Sequence, residues 1–257
     1  MSRGRPQRRP PGLARVPIAR HSEAVTKGRI AGIDALRGGA LCLMFVYHFC
    51  FDLRFYRVTS WDFEHDPFWL GFRALIVASF MVLVGASLVL ALRARATPAH
   101  FWKRIGVIAA CAVAASLGSY VVFPRTFIYF GILHCIAVAS ILAWPLARRP
   151  AIALVVGVIV IVAGLTLQSP AFDARGLSWL GFTTMKPATE DYVPLAPWAG
   201  IVFVGIALGQ LLARAQFSPL ARLARSPHWL TWLGRHSLAV YMVHQPVLLS
   251  VLWLVVH

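Results

Sequence analysis

The side chains in this sequence best suited to chemistry sit inside its apolar runs, where they are hardest to keep. Residues 33–53 read Ile33-Asp34-Ala35-Leu36-Arg37-Gly38-Gly39, then an apolar stretch, then Tyr47-His48-Phe49-Cys50-Phe51-Asp52. At about 100° per residue, Asp34, Arg37, His48 and Asp52 share a helical wedge of about 60°. An ionisable group facing lipid costs about 2.5 kcal/mol or more near the bilayer centre, so this stripe is expected to face a protein interior or a wet cavity. His48 and Asp52, spaced i, i+4, have the arrangement in which a carboxylate orients an imidazole and raises its basicity. That equips a general base to deprotonate an amine or hydroxyl, although a structural hydrogen-bonded pair would use the same spacing. Asp34 and Arg37, at i, i+3, describe either an ion pair at the inner end of the helix or a place where substrate is held.

Other candidates lie at matching depth. Arg73, in Phe68-Trp69-Leu70-Gly71-Phe72-Arg73, could neutralise Asp52 or hold a phosphate or carboxylate with its planar fork. His134, in Phe130-Gly131-Ile132-Leu133-His134-Cys135, is expected in the outer half of its own helix, so that four polar groups from three helices meet. The last apolar run carries Tyr241, His244, Gln245 and Pro246 near mid-membrane. Pro246 is expected to kink that helix and free the Met242 carbonyl, forming either the wall of a ligand pocket or a packing kink. His65 stands between Glu64 and Asp66 in the segment after the first run, where the default reading is surface. A loop over 168–194 is long enough to cover the outward mouth.

The elements that must position these groups follow from composition. The 257 residues are 59% hydrophobic and 13% charged, with a mean hydropathy of +0.70. A soluble domain carries about 25% charged residues. Apolar runs at about 33–53, 68–92, 104–122, 128–146, 151–167, 195–213 and 237–256 each suit a membrane span. The expectation is an all-α polytopic membrane protein, a bundle of about seven transmembrane helices. With residues 1–29 inside, the inner segments hold 18 Lys or Arg; the outer ones hold five: Arg54, Arg57, Arg125, Arg175 and Lys186. That asymmetry places the N-terminus in the cytoplasm and the C-terminus outside, in a multi-pass protein of the plasma (inner) membrane.

The net charge of +16 is spread between spans rather than gathered on one face, so nucleic acid is not an expected partner. Residues 1–29 read as a basic, Pro-rich, disordered cytoplasmic tail attracted to lipid headgroups, preceding a transmembrane domain over 30–257. Cys42, Cys50, Cys111 and Cys135 read as small buried hydrophobes, with no metal-ligand spacing. Ala110, Ala114 and Gly118 form a small-residue face suited to close helix packing. The run 151–167 has no ionisable group and reads as a structural, lipid-facing helix. No P-loop, Rossmann glycine pattern, H-E-x-x-H or G-x-S-x-G is present.

The ordered set of motifs carries a resemblance. Ile33-Asp34-Ala35-Leu36-Arg37-Gly38 with Tyr47-His48-Phe49-Cys50-Phe51-Asp52-Leu53, then Leu83-Val84-Gly85-Ala86-Ser87-Leu88, Phe130-Gly131-Ile132-Leu133-His134 and Gly234-Arg235-His236-Ser237-Leu238, resembles an integral-membrane acyltransferase family. That family is related to the catalytic domain of heparan-alpha-glucosaminide N-acetyltransferase and includes bacterial members. The resemblance implies transfer of an acetyl or acyl group from a CoA thioester to a sugar amine or hydroxyl across the membrane. Acetyl-CoA or another acyl-CoA would be a co-substrate, with no permanently bound cofactor, and a glycan-type acceptor would be the second partner. His48 and Asp52 would be base and orienter, His134 and Arg73 would bind or polarise substrate, and Arg37 would face CoA. In the animal enzyme the catalytic histidine lies in the luminal loop after the first helix, which keeps His65 as a second candidate. A proton-coupled small-molecule permease using the same His/Asp/Arg cluster is the competing reading. The oligomeric state is left open, a dimer included.

Overall fold

The computed structural model describes residues 30–256, so the tail expected over 1–29 lies outside them. Its helices are α1 (Ala31–Phe55), α2 (Pro67–Arg93), α3 (Pro98–Val122), α4 (Ile132–Ala143, continued by a 3-10 turn at Trp144–Leu146), α5 (Pro150–Thr166), α6 (Arg175–Ser178), α7 (Leu195–Arg214), α8 (His228–Arg235) and α9 (Ser237–Val256). No strand forms among the described residues; a single β-bridge joins Phe130 to Tyr192. Helices α1, α2, α3, α7 and α9 are long and apolar enough to cross a membrane, and α4 and α5 are apolar but shorter. This is an all-helical, multi-pass membrane protein.

Local chemistry sets the helix ends. Asp66 accepts the Phe68 amide at 2.8 Å with Pro67 at the first helical position of α2, where a missing N–H costs nothing. Thr97 caps α3 in the same way through the His100 amide, and Pro98 follows it. The helix therefore starts six residues before the apolar run that marks it in the sequence. At α4 the shift goes the other way. Phe130 is engaged with Tyr192, and the Ile132 amide is held by the Asp191 carboxylate at 2.8 Å, so residues 128–131 stay out of the helix. Pro145 then limits its other end to a 3-10 turn. Helix α8 falls between the apolar runs 195–213 and 237–256; at eight residues it is too short to register as a span.

The bundle is organised around α7, which packs on α2 along one side and on α5 along another. Both contacts run backbone to backbone. A Cβ on Gly85 would meet the Val202 carbonyl and, at 2.7 Å, the Ile206 amide. One on Gly157 would lie 2.8 Å from the Gly200 carbonyl. Small residues at such crossings let membrane helices gain close van der Waals contact that lipid cannot supply. Helix α8 lies across the start of α1 by the same means, with Gly234 against the Asp34 backbone and Gly38 against Leu230.

The small-residue face of α3 is not part of this packing. Ala110, Ala114 and Gly118 are exposed, and nothing lies within 4 Å of a Cβ built on Gly118. Phe101, Ile105, Ile108 and Ala112 turn inward instead, and the three larger of these side chains fill the interior beside the start of α3. Helix α5 matches its expectation, burying Ala153 and Gly157 and exposing Val155, Ile159, Val162 and Leu165. Replacing Gly85 by Leu should destabilise the protein by about 1–3 kcal/mol or more through overpacking. Gly118→Ala should leave the thermal unfolding midpoint in detergent unchanged; equal midpoints for the two variants would remove the backbone-contact account.

Candidate active site

Helices α1 and α9 run side by side, and three contacts fix their register. The rings of His48 and His244 lie 4.9 Å apart at their centroids. One turn on, the Gln245 amide donates to Asp52 Oδ1 at 2.7 Å. The Tyr56 hydroxyl then donates to the Leu249 carbonyl at 2.9 Å. Residue 48 is thus level with 244 and residue 56 with 249, which makes α9 parallel to α1 and displaced along it. His244 and Gln245, expected near mid-membrane, are drawn to the depth of His48 and Asp52. Helix α9 runs on as one helix through Pro246 over 237–256.

The pair expected within α1 is arranged differently. Asp52 is 1% exposed and His48 half-buried, so both face inward as their shared stripe requires. The hydrogen-bond partner of Asp52 is Gln245, however, and His48 Nδ1 is buried with no partner. Asp52 Oδ2, His244 Nε2 and Gln245 Oε1 are also buried without partners. Four polar atoms on two helices are therefore left open at one place. Around them stand aromatic rings: Tyr47 is edge-on to His48, and Phe45 and Tyr241 lie 5.8 and 5.3 Å from His244. The other nitrogen of His244, Nδ1, is bonded to the Tyr241 carbonyl.

Arg73 and His134 form a neighbouring group rather than joining this one. Arg73 donates to the Tyr192 carbonyl at 2.7 Å and lies 3.9 Å from the Asp191 carboxylate. It does not neutralise Asp52, because the loop before α7 offers it an acid and a carbonyl first. Both nitrogens of His134 are occupied. Nδ1 accepts the Gly131 amide at 3.2 Å, so Nε2 carries the proton that faces the Ser116 hydroxyl at 3.3 Å. That geometry caps the start of α4.

Over the same end lies the 168–194 loop, tied down at many points. Tyr192 bonds the Ser178 carbonyl at 2.7 Å, and Arg175 sits over the rings of Phe127 and Tyr129. Asp173 takes the Thr184 hydroxyl and amide, which hold its carboxyl below the usual carboxylate range. Burial, and the nearby Arg73 charge, push the Lys186 ammonium down. His65 is apart from all of this. Its side chain is 81% exposed and rests on Asp62, whose carboxyl the Glu64 and His65 amides hold low.

At the opposite end of α1, Arg37 bonds Asp34 at 2.9 Å and the Ser87 hydroxyl at 2.6 Å, and Arg235 lies 3.6 Å from Asp34. The i, i+3 ion pair is present and extends to α2 and α8. From α3, the charge of Arg104 also reaches Arg37. Ser87, Arg235, Asp191 and Ser116 are contact partners of the candidate residues that the sequence reading did not single out. Ser87 and Arg235 stand within the quoted motifs, which was their available signal.

The Asp52–Gln245 contact can be measured as a coupling. Gln245→Leu should cost about 1.5–3 kcal/mol, because a buried carboxylate loses its donor. Adding Asp52→Leu should recover most of the loss in thermal unfolding, since removing both polar groups leaves nothing unpaired. Additive losses would show that the two side chains do not stabilise each other.

Neither the curated proteins nor the solved structures compared with this chain yield a match. A family model does: the one described as Heparan-alpha-glucosaminide N-acetyltransferase, catalytic, matches residues 29–246, from just before α1 to Pro246 of α9. That interval takes in the α1–α9 site and the Arg37 and Arg73 groups, and the chain belongs to this membrane transferase family.

Proposed function

We propose that this protein is a membrane-embedded acetyltransferase that moves an acetyl or other acyl group from acyl-CoA to an amine or hydroxyl of a sugar on the extracytoplasmic side. The observation that carries the reading is the convergence of His48 Nδ1, Asp52 Oδ2, His244 Nε2 and Gln245 Oε1, all buried and unpartnered. An unmet buried polar group costs about 1–3 kcal/mol. Four of them at one place are best accounted for by a ligand that meets them.

Acyl transfer needs a proton acceptor for the incoming amine or hydroxyl and a donor to the carbonyl oxygen as charge develops there. The two imidazoles supply both. Asp52, held by Gln245, adds an acceptor for a substrate N–H or O–H. Arg73 and His134 border the outer side, His134 by holding the end of α4. His65, exposed and paired with Asp62, is given no part in this chemistry.

The distribution of basic residues supports the sidedness: seven helices crossing the plasma (inner) membrane, the N-terminus inside and the C-terminus outside. Acyl-CoA would then approach the basic inner face near Arg37, Arg104 and Arg235, where its phosphates meet guanidinium groups. It acts as a co-substrate, and no permanently bound cofactor is required.

Purified protein in detergent, given radiolabelled acetyl-CoA with glucosamine, galactosamine and glucose as acceptors, should transfer label. His48→Ala should lower turnover about 100-fold or more, His65→Ala should retain it, and His134→Ala should lower thermal stability. Absence of both CoA binding and turnover in folded wild type would favour the proton-coupled permease. Sidedness has its own test, in a cysteine-free background. Ser60→Cys should react with an impermeant thiol reagent on intact cells, and Ala221→Cys should react after permeabilisation; the reverse pattern would invert the topology.

A further inference from the structure

The two histidines at the centre of the site are not equivalent, and the difference lies in their Nδ1 atoms. His244 Nδ1 is bonded to the Tyr241 carbonyl. A carbonyl oxygen only accepts, so Nδ1 carries the proton and the neutral ring is fixed as that tautomer. Its lone pair is therefore on Nε2, which is buried and free of any hydrogen-bond partner, in a ring 4.9 Å from that of His48. His244 as a whole is 8% exposed, with Phe45 and Tyr241 limiting its ring. His48 has no such anchor. Its Nδ1 is unpartnered, and the acid one turn along, Asp52, is taken by Gln245.

We infer that His244 is the catalytic base of the site and that His48 is the hydrogen-bond donor to the reacting carbonyl. This rests on the acyl-transfer reading and assigns roles within it. A base needs a nitrogen whose lone pair is fixed in direction, and the Tyr241 carbonyl does that for His244 from within its own helix. A donor needs only an N–H, which a neutral imidazole has in either tautomer. In the step itself, the acceptor nitrogen or oxygen bonds to the thioester carbon while its proton passes to His244 Nε2. The C–S bond breaks, and the imidazolium returns that proton to the departing thiolate. Amide or ester and free CoA thiol are formed, and the ring ends as it began. Throughout, His48 donates to the carbonyl oxygen without losing its proton.

An amide side chain separates the two roles. Asn at 244 can still donate to the Tyr241 carbonyl but has no basic nitrogen. Asn at 48 can still donate to a carbonyl oxygen. With radiolabelled acetyl-CoA and glucosamine, His244→Asn should lower kcat about 100- to 10,000-fold with little change in the KM for acetyl-CoA. His48→Asn should retain more than a tenth of wild-type kcat. Added imidazole should restore turnover to His244→Ala but not to His48→Ala. Should His244→Asn misfold, His244→Gln, compared with His48→Gln, carries the same contrast. The reverse pattern, with His48→Asn inactive and His244→Asn near wild type, would overturn the assignment while leaving the acyltransferase reading intact. No label transfer by folded wild type to any acceptor would overturn that reading, and the assignment with it.

Discussion

A carboxylate enclosed among apolar side chains must be met by a donor, and Asp52 is met from the far end of the chain. The Gln245 amide that reaches it lies 193 residues away in sequence. With the acid buried, one such contact decides how two helices slide against each other. Once Asp52 and Gln245 are level, His244 has to stand opposite His48, and the Tyr56 hydroxyl has to find the Leu249 carbonyl. Register, rather than the content of either helix alone, creates the site.

The polar groups of the interior fall into two regimes. At both ends of the bundle the charged groups are paired: Asp34 and Arg37 with Ser87 and Arg235, and Arg73 with Asp191 and Tyr192. These contacts join helices and loops that would otherwise meet only through apolar surfaces. Between them, at His48 and His244, ring nitrogens are left without partners. Four open polar atoms gather where two helices face each other, which is the physical ground for proposing chemistry there and for reading His134, with both nitrogens used, as support.

Much of the helical framework was legible in the sequence, since apolar runs near the length of a span have few alternatives in a membrane. The inward stripe of α1 was legible for a similar reason: ionisable side chains spaced on one face have to point away from lipid. Pairings across helices were not. The i, i+4 spacing of His48 and Asp52 suggested a bond within α1, and nothing local revealed that Gln245 would occupy Asp52 instead. The late start of α4 depends on Asp191 and Tyr192, some 60 residues on, and the packing of α7 depends on glycines that periodicity alone does not distinguish from those facing outward. Gly85 and Gly118 look alike as letters; one sits against a neighbouring backbone and the other against open space.

The unequal helices on the two flanks bear on the lipid itself. Helix α5 exposes apolar side chains along 17 residues, a rise of about 25 Å, whereas α3 begins with the polar His100, Lys103 and Arg104 and is apolar only from Ile105 to Val122, about 27 Å. An undisturbed hydrocarbon layer is about 30 Å thick. Both fall a little short of that thickness, α5 the more so, and a short hydrophobic stretch is accommodated by thinning of the neighbouring bilayer or by flanking side chains reaching to the interface. A helix as short as α5 is met best by a thinner bilayer, so membrane composition becomes a variable for this fold independent of anything that binds in its interior.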